Sequence, residues 1–441
     1  MVAPARTLPG PVAWPLTRLA RVGIGTDTLV AYAKLLGGQV GRLVFSLLYF
    51  LVLANALSLE QFGLFATASA AGVVLSRVAA LGFVSPLYRT ACVRRRLVGH
   101  YALGYLAALA LSLPLVAAIG TGAFALVFAG EMDAGAFALV MLAEVVLWRT
   151  AEVVVVVNNG LGRFARAAAL VVANTALRAG AAALFLFAGT GGLNEWAWWY
   201  AAANGISLAA ALVFLLPRAR MRWRPRVWLA RWRDAVGVSV AEVMFYLQSE
   251  MDKLLVLALG GPLVAGLYAI VMRLADLTAI PLRAMMTLLI QRIMRDRRLG
   301  SSWKAWVGLE GGVFAVSVLG MGALALALNL QPGLLGENVA AAAPFVALVL
   351  LAPGFRNLVE LHSELLYAFE RTGERLVQLA LVALLKAALL AVVLGAFATF
   401  GPVALWLNAA FAALYVASLL YTYGRLRASG FRARPRTVAA A

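Results

Sequence analysis

The sequence has one cysteine, Cys92, and two histidines in 441 residues. A lone thiol excludes an internal disulfide, and two imidazoles without a second thiol leave no ligand set for a zinc or iron–sulfur centre. The chain also lacks a Walker loop, a zinc-protease motif and any long hydrophilic stretch that could hold a soluble active site. "GLGRFARA" is no dinucleotide fingerprint, because it lies between two apolar runs with no strand before it. No metal, no cofactor and no enzymatic activity are expected. Charge is sparse as well, at 13% of residues, and acids are the rarer half: 19 Asp+Glu against 38 Lys+Arg. What fills the chain is apolar. At 63% hydrophobic residues and a mean hydropathy of +0.90 it falls outside soluble globular usage and inside the polytopic membrane class.

Apolar runs of about 20 residues can cross a hydrocarbon core. Twelve are expected, near 30–53, 61–84, 100–119, 135–157, 166–188, 196–216, 236–258, 265–290, 305–328, 341–366, 376–397 and 402–423. "GTGAFALVFAG" is too short to span and reads as an extension of the third helix or an interfacial turn. The connections sort by charge. "ANALSLE", "GTGAFALVFAGEMDAG", "GTGGLNEW", "LGGPLVAG", "LNLQPGLLGENVA" and "ATFGP" hold no Lys or Arg, whereas the alternate set holds Arg89, Arg94 to Arg96, Arg163, Arg166 and seven arginines between Pro217 and Asp234. Because Lys and Arg collect on the cytoplasmic side, both termini are expected inside. The excess of +19 then reports topology and an anionic leaflet, not a nucleic-acid partner. No cleavable signal peptide is expected in the first 23 residues. They read as a cytoplasmic arm able to lie on the membrane through Trp14, Leu16 and Leu19.

The chain looks duplicated. "LVLANALSLEQFGLFA" from Leu51 and "LVLALGGPLVAGLYA" from Leu255 each end in Gly-Leu-aromatic-Ala, at Gly63 and Gly266. Glu152, Arg163 and Arg178 recur 208 positions later as Glu360, Arg371 and Lys386. A unit of six spans is even, so both halves share one orientation, as in parallel transporter repeats. The expected fold is an all-α polytopic membrane protein of about 12 transmembrane helices in two six-helix lobes. Its expected parts are a cytoplasmic arm (1–29), an N-lobe (30–216), an Arg-rich cytoplasmic linker (217–235), a C-lobe (236–423) and a basic tail (424–441). Pro217 and Pro225 should prevent one continuous helix across the linker, leaving "VWLARW" for a short interfacial one.

"LVLANALSLEQFGLFATASA", "NNGLGRFARAAALVVANTALRAGAA" and above all "EMDKLLVLALGGPLVAGLYAIVMRLAD" resemble the polysaccharide flippases of the multidrug, oligosaccharidyl-lipid and polysaccharide exporter superfamily. The likeness runs from about residue 30 to 425. It departs at "SRVAALGF" in the second span, where the family often has an acid before the Leu-Gly. The resemblance implies translocation of an undecaprenyl-diphosphate-linked oligosaccharide across a bacterial cytoplasmic membrane by alternating access, for surface or exopolysaccharide synthesis. It implies partners among membrane lipids, a polysaccharide polymerase and other assembly proteins.

Charges inside a bilayer normally face a bundle interior or a hydrated cavity. Lys34, Arg42, Arg77, Arg149, Arg178, Arg283, Arg356 and Lys386 come from both halves and are the candidates for a cationic cavity that holds a diphosphate, a task suited to the bidentate guanidinium. Glu152, Asp276 and Glu360 are the candidates for ion coupling. Arg149 with Glu152, Arg273 with Asp276, and Arg356 with Glu360 can each meet on one helix face. Lys34, Arg42, Arg77, Arg178 and Lys386 have no acid nearby on their own helix, which leaves them an interhelical partner, a snorkelling position or the cavity. His362 and Glu364 read as polar helix contacts, and the tryptophans of "NEWAWWY" as an interfacial belt. Rival readings are a drug or cation antiporter of the same superfamily, which calls for a net acidic cavity, and a lipid II flippase, which usually carries two more spans. A membrane glycan ligase or glycosyltransferase needs a large external loop that this chain lacks.

Overall fold

The computed structural model describes residues 26–189, 191–217, 221–295 and 303–428. The arm with Trp14, Leu16 and Leu19, most of the basic tail, and the side chain of Lys34 lie outside the described residues. Every regular element among those described is helical, and the helices build two lobes, consistent with about twelve membrane crossings. Among the described residues, eight helices are individually long and apolar enough to cross a membrane, and the chain is a multi-pass membrane protein. Leu126, Phe187, Phe214 and Leu319 stand exposed on outer faces, as lipid-facing side chains do.

The first span is Thr26–Ala56. The second, Leu59–Val78, starts at a capping box in which the Ser58 side chain accepts from the Gln61 amide while the Gln61 side chain accepts from the Ser58 amide. It ends in a distorted turn, Ala79–Gly82, with Ala80 and Leu81 both at positive φ. The third runs Val98–Ala123 and continues as a wider π turn, Phe124–Phe128, so "GTGAFALVFAG" extends this helix. The fourth joins Ala134–Met141 to Arg149–Gly160 through another π stretch, Leu142–Trp148. The fifth is Phe164–Ala188 and the sixth Leu193–Ala210. A short helix, Pro225–Leu229, lies in the linker where "VWLARW" suggested one.

The seventh and eighth spans run through Trp232–Arg295 and meet at a break at Gly261. Its φ of 78° and ψ of 176° belong to a conformation nearly reserved for glycine. "LGGPLVAG" is therefore a one-residue reversal, where a loop of several residues was expected. The ninth span is Trp303–Leu330, the eleventh Thr372–Ala396 and the twelfth Phe400–Ala428.

The tenth span is broken. Glu337–Leu348 and Ala352–Ala368 meet at 75°. Pro353 sits in the first turn of the second piece, where its missing N–H costs nothing. Asn408 of the twelfth span heals the gap: its Oδ1 accepts from the Leu351 and Ala352 amides at 2.9 and 3.0 Å, and its Nδ2 donates to the Leu348 carbonyl at 2.6 Å. No water competes for these groups in hydrocarbon. Asn408→Ala is expected to cost about 1–3 kcal/mol, the usual penalty for stranded polar groups. Thermal unfolding of the purified protein measures it, and an unchanged midpoint would remove Asn408 from this role.

Each lobe buries an aromatic core. In the first, Trp196 is fully buried among Tyr49, Phe65, Phe185 and Tyr200. This corrects the interfacial reading of "NEWAWWY": Trp196 and Tyr200 are core residues, Trp199 donates to Glu195, and Trp198 is the exposed member. In the second, the half-buried Phe355 packs between Phe314 and Tyr415, which lie against the buried Val313, Leu358 and Leu361.

The lobes join along the second span. At its uncharged end the two motif glycines meet. A Cβ on Gly63 would lie 2.5 Å from the Gly266 nitrogen, and one on Gly266 would overlap the Leu59 carbonyl oxygen. Beside them Asn55 donates to the Leu335 carbonyl at 2.9 Å, and Asn338 donates to the Ala54 and Leu57 carbonyls at 2.7 Å each. At the basic end, Gly82 leaves room for the Ala235 carbonyl, and Ser239 donates to the Arg77 carbonyl at 2.9 Å.

Candidate functional site

Charged side chains from both lobes meet at the boundary between them, and their partial exposure marks a cleft there. Arg149 of the fourth span donates to Glu152 at 2.7 Å and across the lobe boundary to Glu242 of the seventh at 3.0 Å. Arg77 of the second span also binds Glu152, at 3.1 Å, and its guanidinium lies 4.1 Å from the Tyr246 ring. On the facing wall, Asp276 receives Arg356 at 3.1 Å and Arg283 at 3.7 Å, and Arg283 reaches Glu360 at 3.2 Å. Arg42 projects from the first span within electrostatic reach of Arg273, Arg283, Glu152 and Tyr246. Arg273 donates to Ser46.

Part of this set is open to solvent: Glu242 is 35% exposed, Glu152 32% and Arg283 46%, although each lies well inside a span, whereas Arg77 and Arg149 are buried behind their acids. At 1.5 Å per residue, Arg42 lies about 21 Å from the helix end at Ala56 and Arg273 about 18 Å past Gly261. Both sit near mid-membrane. Six arginines face four carboxylates here, so the cleft carries an excess of positive charge. Among the described residues, no carboxylate lies within ion-pair distance of Arg42 or Arg273, and these two are the cations left to meet an incoming anion.

Two further charge clusters are sealed inside the lobes. Arg178 stacks 3.8 Å from the Trp148 ring, holds Asn204 through two bonds of 2.9 and 2.7 Å, and lies 3.9 Å from Glu144. Glu144 also accepts from Ser69 and Tyr200. In the second lobe Lys386 lies 2.9 Å from Asp252, each 3% exposed, and donates to the Gln248 carbonyl. Tyr268 completes the Asp252 shell at 2.7 Å.

The candidate residues thus separate into two groups. Arg42, Arg77, Arg149, Arg283 and Arg356 line the cleft, together with the ion-coupling candidates Glu152, Asp276 and Glu360. Arg178 and Lys386 have buried interhelical acids as partners. Of the pairs expected along one helix, Arg149–Glu152 forms, whereas Asp276 binds Arg356 and Arg283 in place of Arg273, and Glu360 binds Arg283 in place of Arg356. Spacing permits a pair on one helix, but a neighbouring helix can offer a closer cation. Glu364 binds Arg375 at 2.7 Å. Arg273 and Glu242, legible in the sequence as charges deep in apolar runs, line the cleft as well; Tyr246 joins it unanticipated, and its only signal in the sequence was a polar group inside an apolar run.

No protein-family model and no curated protein matches this sequence. Solved structures do match its fold. An inward-facing multidrug resistance transporter of the MATE family, in the MOP superfamily, superposes with a TM-score of 0.63 at 15% identity, over 88% of this chain and 95% of that one. A MOP-superfamily transporter from Pyrococcus furiosus, for which reversed polarity of the binding pocket suggests a different function, gives 0.61 at 14%, over 90% and 94%. An outward-facing MATE transporter gives 0.55 at 14%, over 91% and 95%. The fold is that of the MATE transporters.

Proposed function

We propose that this chain is a bacterial cytoplasmic-membrane transporter that moves an undecaprenyl-diphosphate-linked oligosaccharide to the outer leaflet. The arginine-rich side faces the cytoplasm and the lobes rock about the charged cleft. The observation that carries this reading is the surplus of guanidinium in the cleft, with Arg42 and Arg273 lacking carboxylate partners near mid-membrane. A diphosphate offers such groups paired oxygens for bidentate bonds, while the lipid tail stays in the bilayer. The sequence resemblance and the fold agree with a carrier, and the reversed pocket polarity of the Pyrococcus furiosus neighbour supports reading substrate class from cleft charge. A cationic drug would meet the wrong sign here.

The test is binding of a polyprenyl diphosphate to purified protein by native mass spectrometry. The double variant Arg42→Gln/Arg273→Gln is expected to weaken binding by about 100-fold, at roughly 1.4 kcal/mol for each lost charge-assisted contact, with the unfolding temperature unchanged. Wild-type affinity in that variant would sink the anionic-substrate reading, and improved uptake of an organic cation would favour the drug antiporter.

A further inference from the structure

Between the eleventh and twelfth spans, neither of which contributes a residue to the cleft, the second lobe has a cavity of about 460 Å³. Its wall is Leu381, Leu384, Leu385, Ala417 and Tyr421, with the buried Gln378 bonded to the Ser418 hydroxyl at 2.7 Å. Leu381 and Leu384 are exposed. Lys386 turns toward the seventh span, where it meets Gln248 and Asp252, and Leu384, two residues before it, points about 200° away. The cavity therefore opens to the surrounding hydrocarbon. A hollow lined by leucine offers water no hydrogen bonds, and what a bilayer supplies in its place is a lipid chain.

Depth and charge say which lipid. The eleventh span begins at Thr372 and the twelfth ends at Ala428, both on the arginine-rich side. At 1.5 Å per residue the wall lies about 10–20 Å in from these ends, in the inner half of a hydrocarbon core about 30 Å thick. At its shallow edge the Arg425 guanidinium stands 5.5 Å from the Tyr421 ring, and Arg371 donates to the Arg425 carbonyl at 3.2 Å. Arg425 is exposed, and no acid follows it in the sequence. Such a basic edge attracts the anionic headgroups of an inner leaflet. The Tyr421 hydroxyl is a buried donor with no partner in the protein. It belongs to a residue four positions, about 6 Å, deeper than Arg425, the level at which ester carbonyls hang below a phosphate.

We propose that this cavity binds an anionic phospholipid of the inner leaflet: one acyl chain fills the hollow, an ester carbonyl accepts from the Tyr421 hydroxyl, and Arg425 holds the phosphate. A guanidinium suits that task through its paired donors. The cargo's tail is a different chain, since the cleft that would hold its diphosphate receives nothing from the eleventh or twelfth span. The phospholipid ties the inner ends of these two spans together, and a ligand that binds only the folded lobe stabilises it by mass action. The site stands apart from the transport reading.

Purified full-length protein in nanodiscs of neutral phosphatidylcholine, given a trace of phosphatidylglycerol with a photoreactive diazirine in one acyl chain, reports the site through the peptides that become cross-linked. Adducts are expected within 378–385 and 417–421. Unlabelled phosphatidylglycerol should compete about fivefold better than phosphatidylcholine, the usual gain for one arginine at an anionic surface. Arg425→Gln should abolish this preference, and Leu385→Trp, which fills the hollow, should remove the adducts. Phosphatidylglycerol should also raise the thermal midpoint of the wild-type protein and leave that of Arg425→Gln unchanged. Equal competition by the two lipids, adducts spread evenly over outer faces such as those of Leu126 and Phe214, or adducts undiminished in a folded Leu385→Trp overturns the proposal. A polyprenyl phosphate that displaces the probe better than phosphatidylglycerol gives the cavity to the cargo's tail and overturns it equally. Failure here leaves the charge of the cleft untouched, and failure of the Arg42→Gln/Arg273→Gln test leaves this cavity untouched.

Discussion

Lys386→Gln is expected to lower the stability of the second lobe by about 3–5 kcal/mol, the range for breaking a buried ion pair from one side. Lys386 and Asp252 are 2.9 Å apart and almost wholly buried, so removing the ammonium leaves a buried carboxylate with no cation in contact and only Lys253 and Arg356 acting on it from farther off. Tyr268 still donates to it, but a phenol does not replace a charge. A large fall in folded yield and thermal midpoint should follow, and Asp252→Asn in the same chain should recover much of it. Arg178→Gln behaves alike, with Glu144 abandoned. Arg178→Lys keeps the charge but loses the fork to Asn204 and the stacking on Trp148, and should fall between the two. On sequence grounds these two cations were candidates for the cationic cavity. Their buried acid partners put the expected damage in folding, and a Lys386→Gln protein with wild-type stability would return Lys386 to the cavity.

The second large effect concerns the seal at the uncharged end. Gly266→Val puts a branched side chain where even one carbon overlaps the Leu59 carbonyl, and backbone cannot step aside as a side chain can. Overpacking at such a contact costs about 1–3 kcal/mol, equivalent to roughly tenfold or more in the balance between sealed and open arrangements. Leu57, 2% exposed beside the seal, offers the readout. In a Cys92→Ser background, Leu57→Cys should resist an impermeant maleimide applied from outside, and adding Gly266→Val should make it react about ten times faster. Equal labelling in both would show that the glycines do not hold this end shut.

Much of the fold could be read along the chain because it rests on local quantities. Run length located the helices, and a helix-cap sequence such as Ser58 to Gln61 marks a start by its own chemistry. Gly261 shows the limit: glycine and proline announced a turn, but not that one left-handed residue would suffice. The cleft was legible as a list of charges inside apolar runs and illegible as a set of pairs. Arg149 and Glu152 could be paired from spacing, since their helix fixes the distance. Arg273 and Asp276 have the same spacing and do not pair, because Arg356 and Arg283 arrive from elsewhere, and no helical periodicity records where another helix passes. Trp196 was misread for a related reason: an aromatic run at a helix end fits a membrane belt, and only the rings of Tyr49, Phe65 and Phe185 around it show that it is core.

The buried cations also bear on how the chain is made. Arg178 finds Glu144 inside the first six spans, and Lys386 finds Asp252 inside the last six, so neither half waits for the other before its deepest charge is neutral. A polypeptide threaded into a bilayer from its N-terminus can thus finish its first bundle while the second is still being synthesised. The acids come from non-equivalent helices, the fourth in one half and the seventh in the other. Each half therefore supplies its own counter-ion, and that independence is what lets the ribosome deliver them one at a time.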